Sequence, residues 1–276
     1  MYNKEEVRNA NISLHSALVD KYKETEPHYR QENILRVGRI LQDLQGKTGA
    51  VSLLDIGCGM GFIIDIAKPY FRVIRGVDIT PAMLKKVDTS SDTADVKVQL
   101  APSDNLPFAN ESFDVCTAYA VLHHLDALLP TFQEICRVLK KGGMFYSDLD
   151  PNYYFWEAVS RLPEDGNYSD FVRREIDAVI HKDQELEDLF HIDKGVLRAA
   201  EHLKHEQGGF REEDLRDILY KAGFSEVEIR YEWFLGEAHV IHGEKSPSAD
   251  ALRGYLRDAL PLTRHLFKYL MVYARK

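Results

Sequence analysis

A strand, a glycine-rich loop and a helix follow one another within residues 51–68, and this unit constrains the fold more than any other part of the chain. The apolar run Val51–Leu54 predicts a buried strand, and Asp55 follows it. Glycines then stand at alternate positions, at Gly57, Gly59 and Gly61. Glycine is needed where the backbone takes a positive φ or where a ligand lies directly on the main chain. The unit therefore indicates a nucleotide-like ligand at the end of a strand.

The spacing of the glycines bears on the charge of that ligand. The dinucleotide fingerprint G-x-G-x-x-G would place its third glycine at position 62, which is Phe62 here. A pyrophosphate prefers N–H donors to a nearby carboxylate, so Asp55 favours a cationic ligand such as an amino acid moiety or a sulfonium. Asp78 ends the next predicted strand, 17 positions after Gly61. This is close to the offset of about 20 residues at which a carboxylate meets ribose hydroxyls, so an adenosine-type ligand is favoured.

Strand and helix patterns alternate over most of the chain. Strands are predicted at 51–56, 72–78, 96–100, 113–119 and 143–149, and helices near 61–69, 81–88 and 126–141. The pattern is interrupted after Pro151 and then resumes. We expect a helix at 212–222, a strand at 227–231, a short helix near 248–259 and a strand at 267–274. Residues 1–28 are read as polar and loosely patterned, and the helix that follows is expected to end at Gly46. The alternation predicts an α/β fold with a parallel sheet and helices on both faces.

Five ordered motifs resemble those of the class I S-adenosylmethionine-dependent methyltransferases, most closely the small-molecule branch that includes the ubiquinone/menaquinone enzymes. They are LDIGCGMG (54–61), GVDITPAML (76–84), SDNLPF (103–108), FDVCTAYAVLHHL (113–125) and LKKGGMF (139–145). The resemblance implies a Rossmann-like fold with a mostly parallel seven-stranded sheet, ended by an antiparallel hairpin. It also implies S-adenosylmethionine as cofactor and S-adenosylhomocysteine as product.

The chain is expected to divide into three parts. Residues 1–150 would hold the N-terminal helices and the cofactor-binding core, 151–207 a helical insert that serves as a substrate lid, and 208–276 the C-terminal completion of the core.

The resemblance also assigns roles at the cofactor. The glycine loop would lie under the methionine part with Asp55 near its amino group, Asp78 would take the ribose hydroxyls, and Ile79 and Met83 would enclose the adenine. Tyr22 and Tyr29 would close over the sulfonium, since aromatic faces attract cations, and Arg30 would meet the cofactor carboxylate. The full set is Tyr22, Tyr29, Arg30, Asp55, Gly57, Cys58, Gly59, Gly61, Asp78, Ile79, Met83, Pro102, Ser103, Asp104, Tyr119 and Ala120.

One position departs from the family pattern. Pro102 stands where relatives usually carry an acid that faces the adenine amino group. Proline has neither a side-chain acceptor nor an N–H donor. The backbone of Ser103, or Asp104 one step further on, is therefore expected to serve the edge of the base.

Candidate catalytic residues follow two of the predicted strands. His123 and His124 could take a proton from the acceptor, or they could position the helix that follows. Asp148 is a second candidate base, with a solvated strand end as the alternative. The aromatic residues Tyr153, Tyr154 and Trp156 could form an apolar wall for the substrate, or pack the insert onto the sheet. No recognised metal-ligand spacing is found.

Composition narrows the class of partner. The net charge of −9 argues against a nucleic acid. Without a secretory leader or a run of 18 apolar residues, no membrane insertion is expected, and the cytoplasm is the expected compartment.

The predicted function is methyl transfer to a small, apolar or aromatic molecule at O, N or C. The alternatives are methylation of a protein or RNA group, a catalytically inactive cofactor-binding protein, and a dehydrogenase.

Overall fold

The computed structural model describes residues 2–163, 165–180, 187–188, 190, 192–237 and 246–276. Parts of the predicted insert, at 164, 181–186, 189 and 191, lie outside the described residues. No helix in the described ranges is long and apolar enough to cross a bilayer.

Seven strands form one sheet in the order β3-β2-β1-β4-β5-β7-β6. Their bounds are β1 Ser52–Ile56, β2 Val73–Asp78, β3 Asp95–Leu100, β4 Phe113–Tyr119, β5 Leu139–Pro151, β6 Glu226–Phe234 and β7 Phe267–Arg275. The first five run parallel, and β7 pairs antiparallel with both β5 and β6. The prediction of a mostly parallel, seven-stranded Rossmann-like sheet with a terminal hairpin is confirmed.

Helices connect and cover the strands. They are α1 Lys4–Leu18, α2 Tyr22–Thr25, α3 Gln31–Thr48, α4 Phe62–Ala67, α5 Pro81–Leu84, α6 Leu128–Val138, α7 Tyr153–Ser160, α8 Asp170–Ile180, α9 Lys194–Ala200, α10 His202–Gln207, α11 Glu212–Ala222 and α12 Ser246–Asp258. Short 3-10 turns lie at Pro27–Tyr29, Leu122–His124 and Arg264–Leu266.

Two apolar layers flank the sheet. On one face α3 and α4 pack against the strands through residues such as Leu41 and Ile63. On the other face α6 and α11 do so through residues such as Phe132 and Leu219. The arrangement leaves the carboxyl ends of β1, β2 and β4 at one edge, where ligands bind in parallel α/β sheets.

The N-terminal segment, which looks loosely patterned in the sequence, forms the helix α1. Asn3 and Glu6 form a capping box, in which the Asn3 side chain accepts from the Glu6 N–H at 3.0 Å and the Glu6 carboxylate accepts from the Asn3 N–H at 2.7 Å. One face of α1 is apolar and buried at Val7, Ala10, Leu14 and Leu18. That face packs on α9 of the insert, so the N-terminus and the insert share a small core of their own.

The end of α3 also differs from its prediction. The helix continues through Gly46 to Thr48, and Gly49 takes the left-handed conformation with φ 62°. Its N–H donates to the Gln45 carbonyl, which is how a glycine closes a helix.

Described parts of the insert are helical, at α7 to α10. The chain leaves the sheet at Asn152 and returns at Phe210, and these two residues form a β-bridge with each other. The division of the chain into three functional parts stays a prediction.

Candidate functional site

A cavity of about 800 Å³, counting its open mouth, lies at the carboxyl ends of β1, β2 and β4. β1 pairs with β2 on one side and with β4 on the other, so the strand order reverses here. Such a switch point is where open α/β sheets bind their ligands.

The cavity brings together many of the residues predicted from the sequence. Those that line it are Tyr22, Gly57, Gly59, Asp78, Ile79, Met83, Pro102, Ser103, Tyr119, Ala120 and His124. Sequence reasoning missed several others, namely Val7, Arg8, Asn11, His15, Thr80, Ala101, Val121, Leu125 and Asp126.

The four missed residues of α1 could have been found. The Asn-x-x-Glu start at Asn3 and the recurrence of apolar residues from Val7 to Leu18 are both visible in the sequence. Nothing local indicates, however, that this helix borders the glycine loop.

Other predicted residues lie outside the cavity lining. They are Tyr29, Arg30, Asp55, Cys58, Gly61, Asp104, His123, Asp148, Tyr153, Tyr154 and Trp156. Tyr29 borders a separate surface groove between α3 and α4, with Phe62 and Tyr70. Asp104 forms ion pairs with Lys4 and Arg8 of α1.

Two glycines of the loop show that it suits a ligand on its main chain. Gly57 has φ 65°, and a Cβ there would meet the Cγ2 of Val121 at 2.5 Å. Gly59 has φ 51°, and a Cβ there would meet no described atom within 4 Å. The first glycine is therefore required by packing, and the second leaves open space over the backbone.

The Asp78 carboxylate is held in one orientation. One of its oxygens accepts from the Gly59 N–H at 2.9 Å and the other from the Thr80 N–H at 2.7 Å. A carboxylate oxygen has two lone pairs, so each can still accept a ligand hydroxyl. This geometry fits the predicted contact with two ribose hydroxyls.

Asp55 lies beneath the loop, only 2% exposed. Its carboxylate accepts from the Thr117 hydroxyl at 2.7 Å. Burial raises its pKa to about 7, and the Thr117 hydrogen bond works in the opposite direction. Its predicted contact with a ligand amino group stays a prediction.

His124 is the candidate base that borders the cavity. Its Nδ1 lies 3.1 Å from the Ala200 carbonyl, which requires a hydrogen on that nitrogen. Desolvation, together with the neighbouring His123 and His15, lowers its pKa well below the usual value. The ring is therefore neutral at pH 7, with Nε2 as its acceptor.

His123 points elsewhere. Its Nδ1 lies 2.9 Å from an oxygen of Asp150, whose pKa burial raises to about 8. Donor atoms of His123, His124 and Glu201 lie within 4.8 Å of one another, a metal-capable group that the sequence spacing did not reveal. The Glu201 carboxylate already forms an ion pair with Lys204.

Asp148, the second candidate base, is not among the residues that line the cavity. The residue is fully buried, and one carboxylate oxygen accepts from Arg36 at 2.7 Å and from the Tyr146 hydroxyl at 2.8 Å. The other oxygen accepts from the Leu149 N–H at 2.8 Å. One oxygen is thus held by the ion pair with Arg36 and the other by a backbone N–H, so Asp148 joins β5 to α3.

Tyr153, Tyr154 and Trp156, which follow β5, do not line the described cavity. Arg211 lies over the ring of Tyr153 at 3.9 Å, and Arg264 over that of Tyr154 at 3.4 Å. Trp156 packs into a separate apolar cluster with α8. Tyr153 and Tyr154 thus contact arginines of the C-terminal part of the chain.

Comparison with known proteins agrees with the geometry. A family model for a methyltransferase domain matches residues 54–147. The uncharacterized methyltransferase YcgJ of Bacillus subtilis is 31% identical over 135 residues, 45% of this chain and 53% of that protein. The ubiquinone/menaquinone biosynthesis C-methyltransferase UbiE of Geobacter sp. is 32% identical over 105 residues, 36% of this chain and 45% of that protein. The matches thus span about half the length of these relatives.

A solved structure resembles the fold over nearly the whole chain. It is a putative methyltransferase of Haloferax volcanii, solved in complex with the Trm112 methyltransferase activator. The likeness has a TM-score of 0.55 and 18% identity, and covers 98% of this chain and 96% of that one. At this identity the likeness concerns the fold alone.

Proposed function

We propose that the chain, whose residues 54–147 match a methyltransferase domain, is a class I S-adenosylmethionine-dependent methyltransferase that transfers a methyl group to a small, apolar or aromatic molecule. The observation that carries the proposal is the cavity at the switch point of the sheet, where Asp78 is oriented by the N–H groups of Gly59 and Thr80. S-adenosylmethionine fits this donor and acceptor set, and when bound it supplies an electrophilic methyl group.

The residues of the chain would bind and align the reactants. Asp78 accepts the ribose hydroxyls, the backbone at Gly59 lies against the methionine part, and Ile79 and Met83 enclose the adenine. Alignment of an acceptor atom in line with the sulfur–methyl bond is the main contribution that a protein makes to such a displacement.

His124 is the proposed base for an acceptor that carries a proton. The acceptor atom bonds to the methyl carbon as the carbon–sulfur bond breaks, and Nε2 of His124 takes the proton that the acceptor loses. A neutral imidazole with Nδ1 held by the Ala200 carbonyl is suited to this step. Tyr22, whose ring contacts His15 and Tyr29 edge-on or tilted, is proposed to close the sulfonium end.

A small acceptor is favoured because α1 forms part of the cavity wall and α9 of the insert packs on α1. We propose that α1 and the insert 151–207 together cover the substrate, with 208–276 completing the core. No nucleic acid and no membrane insertion are proposed. The cytoplasm is the proposed compartment, in keeping with three buried thiols at Cys58, Cys116 and Cys136.

The cofactor assignment can be tested by calorimetry. Replacement Asp78→Ala should weaken S-adenosylmethionine binding at least about tenfold, since charged hydrogen bonds to the ribose are lost. The matched control is Asp88→Ala, which removes the same charge from a surface ion pair with Lys68 and should leave the affinity unchanged. Equal affinity of Asp78→Ala and the wild type would contradict the ribose contact.

Turnover separates the enzyme from an inactive binding protein. Purified protein, S-adenosylmethionine and a panel of small phenols, amines and thiols are incubated, and S-adenosylhomocysteine is measured by mass spectrometry. Formation of product with one acceptor supports the proposal. Cofactor binding with no product from any acceptor favours the inactive alternative.

A further inference from the structure

We propose that Asn11 of α1 accepts a hydrogen bond from the adenine amino group of the cofactor, in place of the side-chain acceptor that Pro102 cannot provide. The inference rests on the proposed function, because it concerns the same cavity and the same cofactor. It assigns to the N-terminal helix a part in reading the base.

The orientation of the Asn11 amide is fixed by its surroundings. Its Nδ2, which carries two hydrogens, lies within hydrogen-bond distance of three carbonyl oxygens, those of Val7 at 3.0 Å, His124 at 3.0 Å and Ala200 at 3.1 Å. A flipped amide would turn its own oxygen towards these three acceptors. The nitrogen therefore occupies this side, and the oxygen points the other way.

The amide oxygen of Asn11 is buried and unpaired. The residue is 4% exposed, and its Oδ1 has no hydrogen-bond partner within the described ranges. Buried acceptors are nearly always satisfied, and an unpaired one in a native fold calls for a partner. Since Asn11 borders the cavity, a ligand can supply the missing donor from that side.

The loop after β3, where relatives carry an acid that reads the base, presents no carboxylate acceptor in the described cavity lining. Pro102 has none, and the Ser103 hydroxyl lies 2.9 Å from that of Thr131. Asp104 is engaged by Lys4 and Arg8. The prediction that Asp104 serves the base is therefore replaced by one for α1.

Those ion pairs also place Asn11 at the adenine end of the cavity. Lys4 and Arg8 tie α1 to the loop after β3, and α1 packs on α5, which carries the adenine-enclosing Met83. Arg8 and Asn11 are neighbours on the helix surface at a spacing of three, and both line the cavity.

Asp126 is the competing acceptor on the cavity wall. It is only partly buried, so water can satisfy its carboxylate without a ligand. Asn11 is 4% exposed and its oxygen has no described partner, so a donor on the ligand is worth more to Asn11 than to Asp126.

The test compares two ligands by calorimetry on the full chain: S-adenosylhomocysteine, and its analogue with purine in place of adenine, which lacks only the amino group. The wild type should bind the adenine ligand about tenfold more tightly, because the analogue leaves the Asn11 oxygen unpaired. In Asn11→Ala the ratio of the two affinities should fall to about threefold or less.

Two variants control for position. Val7→Ala alters the same wall without a polar change, so it should affect both ligands alike and keep the ratio. Asp126→Ala should also keep it. Three results would each overturn the assignment to Asn11. They are equal affinities for the two ligands in the wild type, an undiminished tenfold ratio of affinities in Asn11→Ala, and loss of that ratio in Asp126→Ala.

The outcomes separate this inference from the proposed function. Should Asn11→Ala not fold, the wild-type ratio and the Asp126→Ala ratio still decide. Failure of S-adenosylhomocysteine to bind the wild type would refute the cofactor itself, whereas equal binding of both ligands would refute only the role of Asn11.

Discussion

Asp55 could be predicted from its motif as a site residue, but its raised pKa could not. The sequence places it before the glycine loop, where a carboxylate was expected to meet a positive charge. The fold buries it under the loop and gives it one hydroxyl partner, Thr117. Its raised pKa depends on the enclosing strands, which come from distant parts of the chain, so the sequence could not supply it.

The buried Asp55 should make folding stability depend on pH. Its pKa is about 7 in the folded state against an ordinary value of 3.8, so between these values the folded chain holds a proton that the unfolded chain releases. The contribution is fully present below about pH 4 and is lost as pH rises to about 7, by about 4 kcal/mol in total. Urea unfolding from pH 4.5 to 7.5 should show a shallower decline for Asp55→Asn than for the wild type.

The exposed Asp43 provides the control for this measurement. It forms a surface pair with Lys47, so Asp43→Asn should leave the slope of stability against pH unchanged. Parallel curves for Asp55→Asn and the wild type would show that burial does not raise the pKa of Asp55.

Among the helices, α1 adds most to the site that was predicted from the sequence, because it lines the cavity. Its apolar face packs on α9, while Arg8, Asn11 and His15 line the cavity. The helix could be predicted from its capping box and apolar spacing, but its neighbours could not. Contacts between residues 11, 124 and 200 are set by tertiary packing, and one sequence carries no signal for them.

Loosening α9 should therefore weaken cofactor binding from a distance. Leu197 is 2% exposed in the core shared by α1 and α9 and is not part of the cavity lining. Leu197→Ala should cost about 2–5 kcal/mol of local packing, and calorimetry should show a lower affinity for S-adenosylhomocysteine. Ile176→Ala, a cavity-forming change in the separate cluster of α7 and α8, is the matched control. Equal affinities for the two variants would argue against a role for α9 in supporting the site.

Across the whole molecule, the strands and helices of the sheet could be predicted from the sequence, whereas the positions of α1 and of the aromatic residues at 153–156 could not. Apolar strands that alternate with helices predict a parallel sheet, and the resemblance to the methyltransferases implied the antiparallel hairpin that ends it. The aromatic residues at 153–156 follow β5 in sequence, yet cation–π contacts with Arg211 and Arg264 hold two of them away from the cavity. The position of each ring depends on a partner more than fifty residues away in the sequence, and local sequence patterns do not encode such contacts.

S-adenosylhomocysteine should raise the thermal stability of the chain, whereas NADH should not. This difference would exclude the dehydrogenase alternative. S-adenosylhomocysteine at about 100 times its Kd should add about 2.7 kcal/mol to the free energy of unfolding and raise Tm by roughly 5 °C. NADH at the same concentration should leave Tm unchanged, because Phe62 replaces the third glycine of the dinucleotide loop. Thermal unfolding followed by circular dichroism makes the comparison, and the reverse pattern would favour a dehydrogenase.

The ion pairs that tie α1 to the loop after β3 have a kinetic consequence. Lys4 and Arg8 are partly exposed, with 52% and 30% of their side chains accessible, so dissolved ions screen their attraction to Asp104. A helix held in this way loosens as the ionic strength rises, and a wall of the cavity loosens with it. We therefore expect a bound nucleoside to dissociate sooner as the salt concentration around the protein rises.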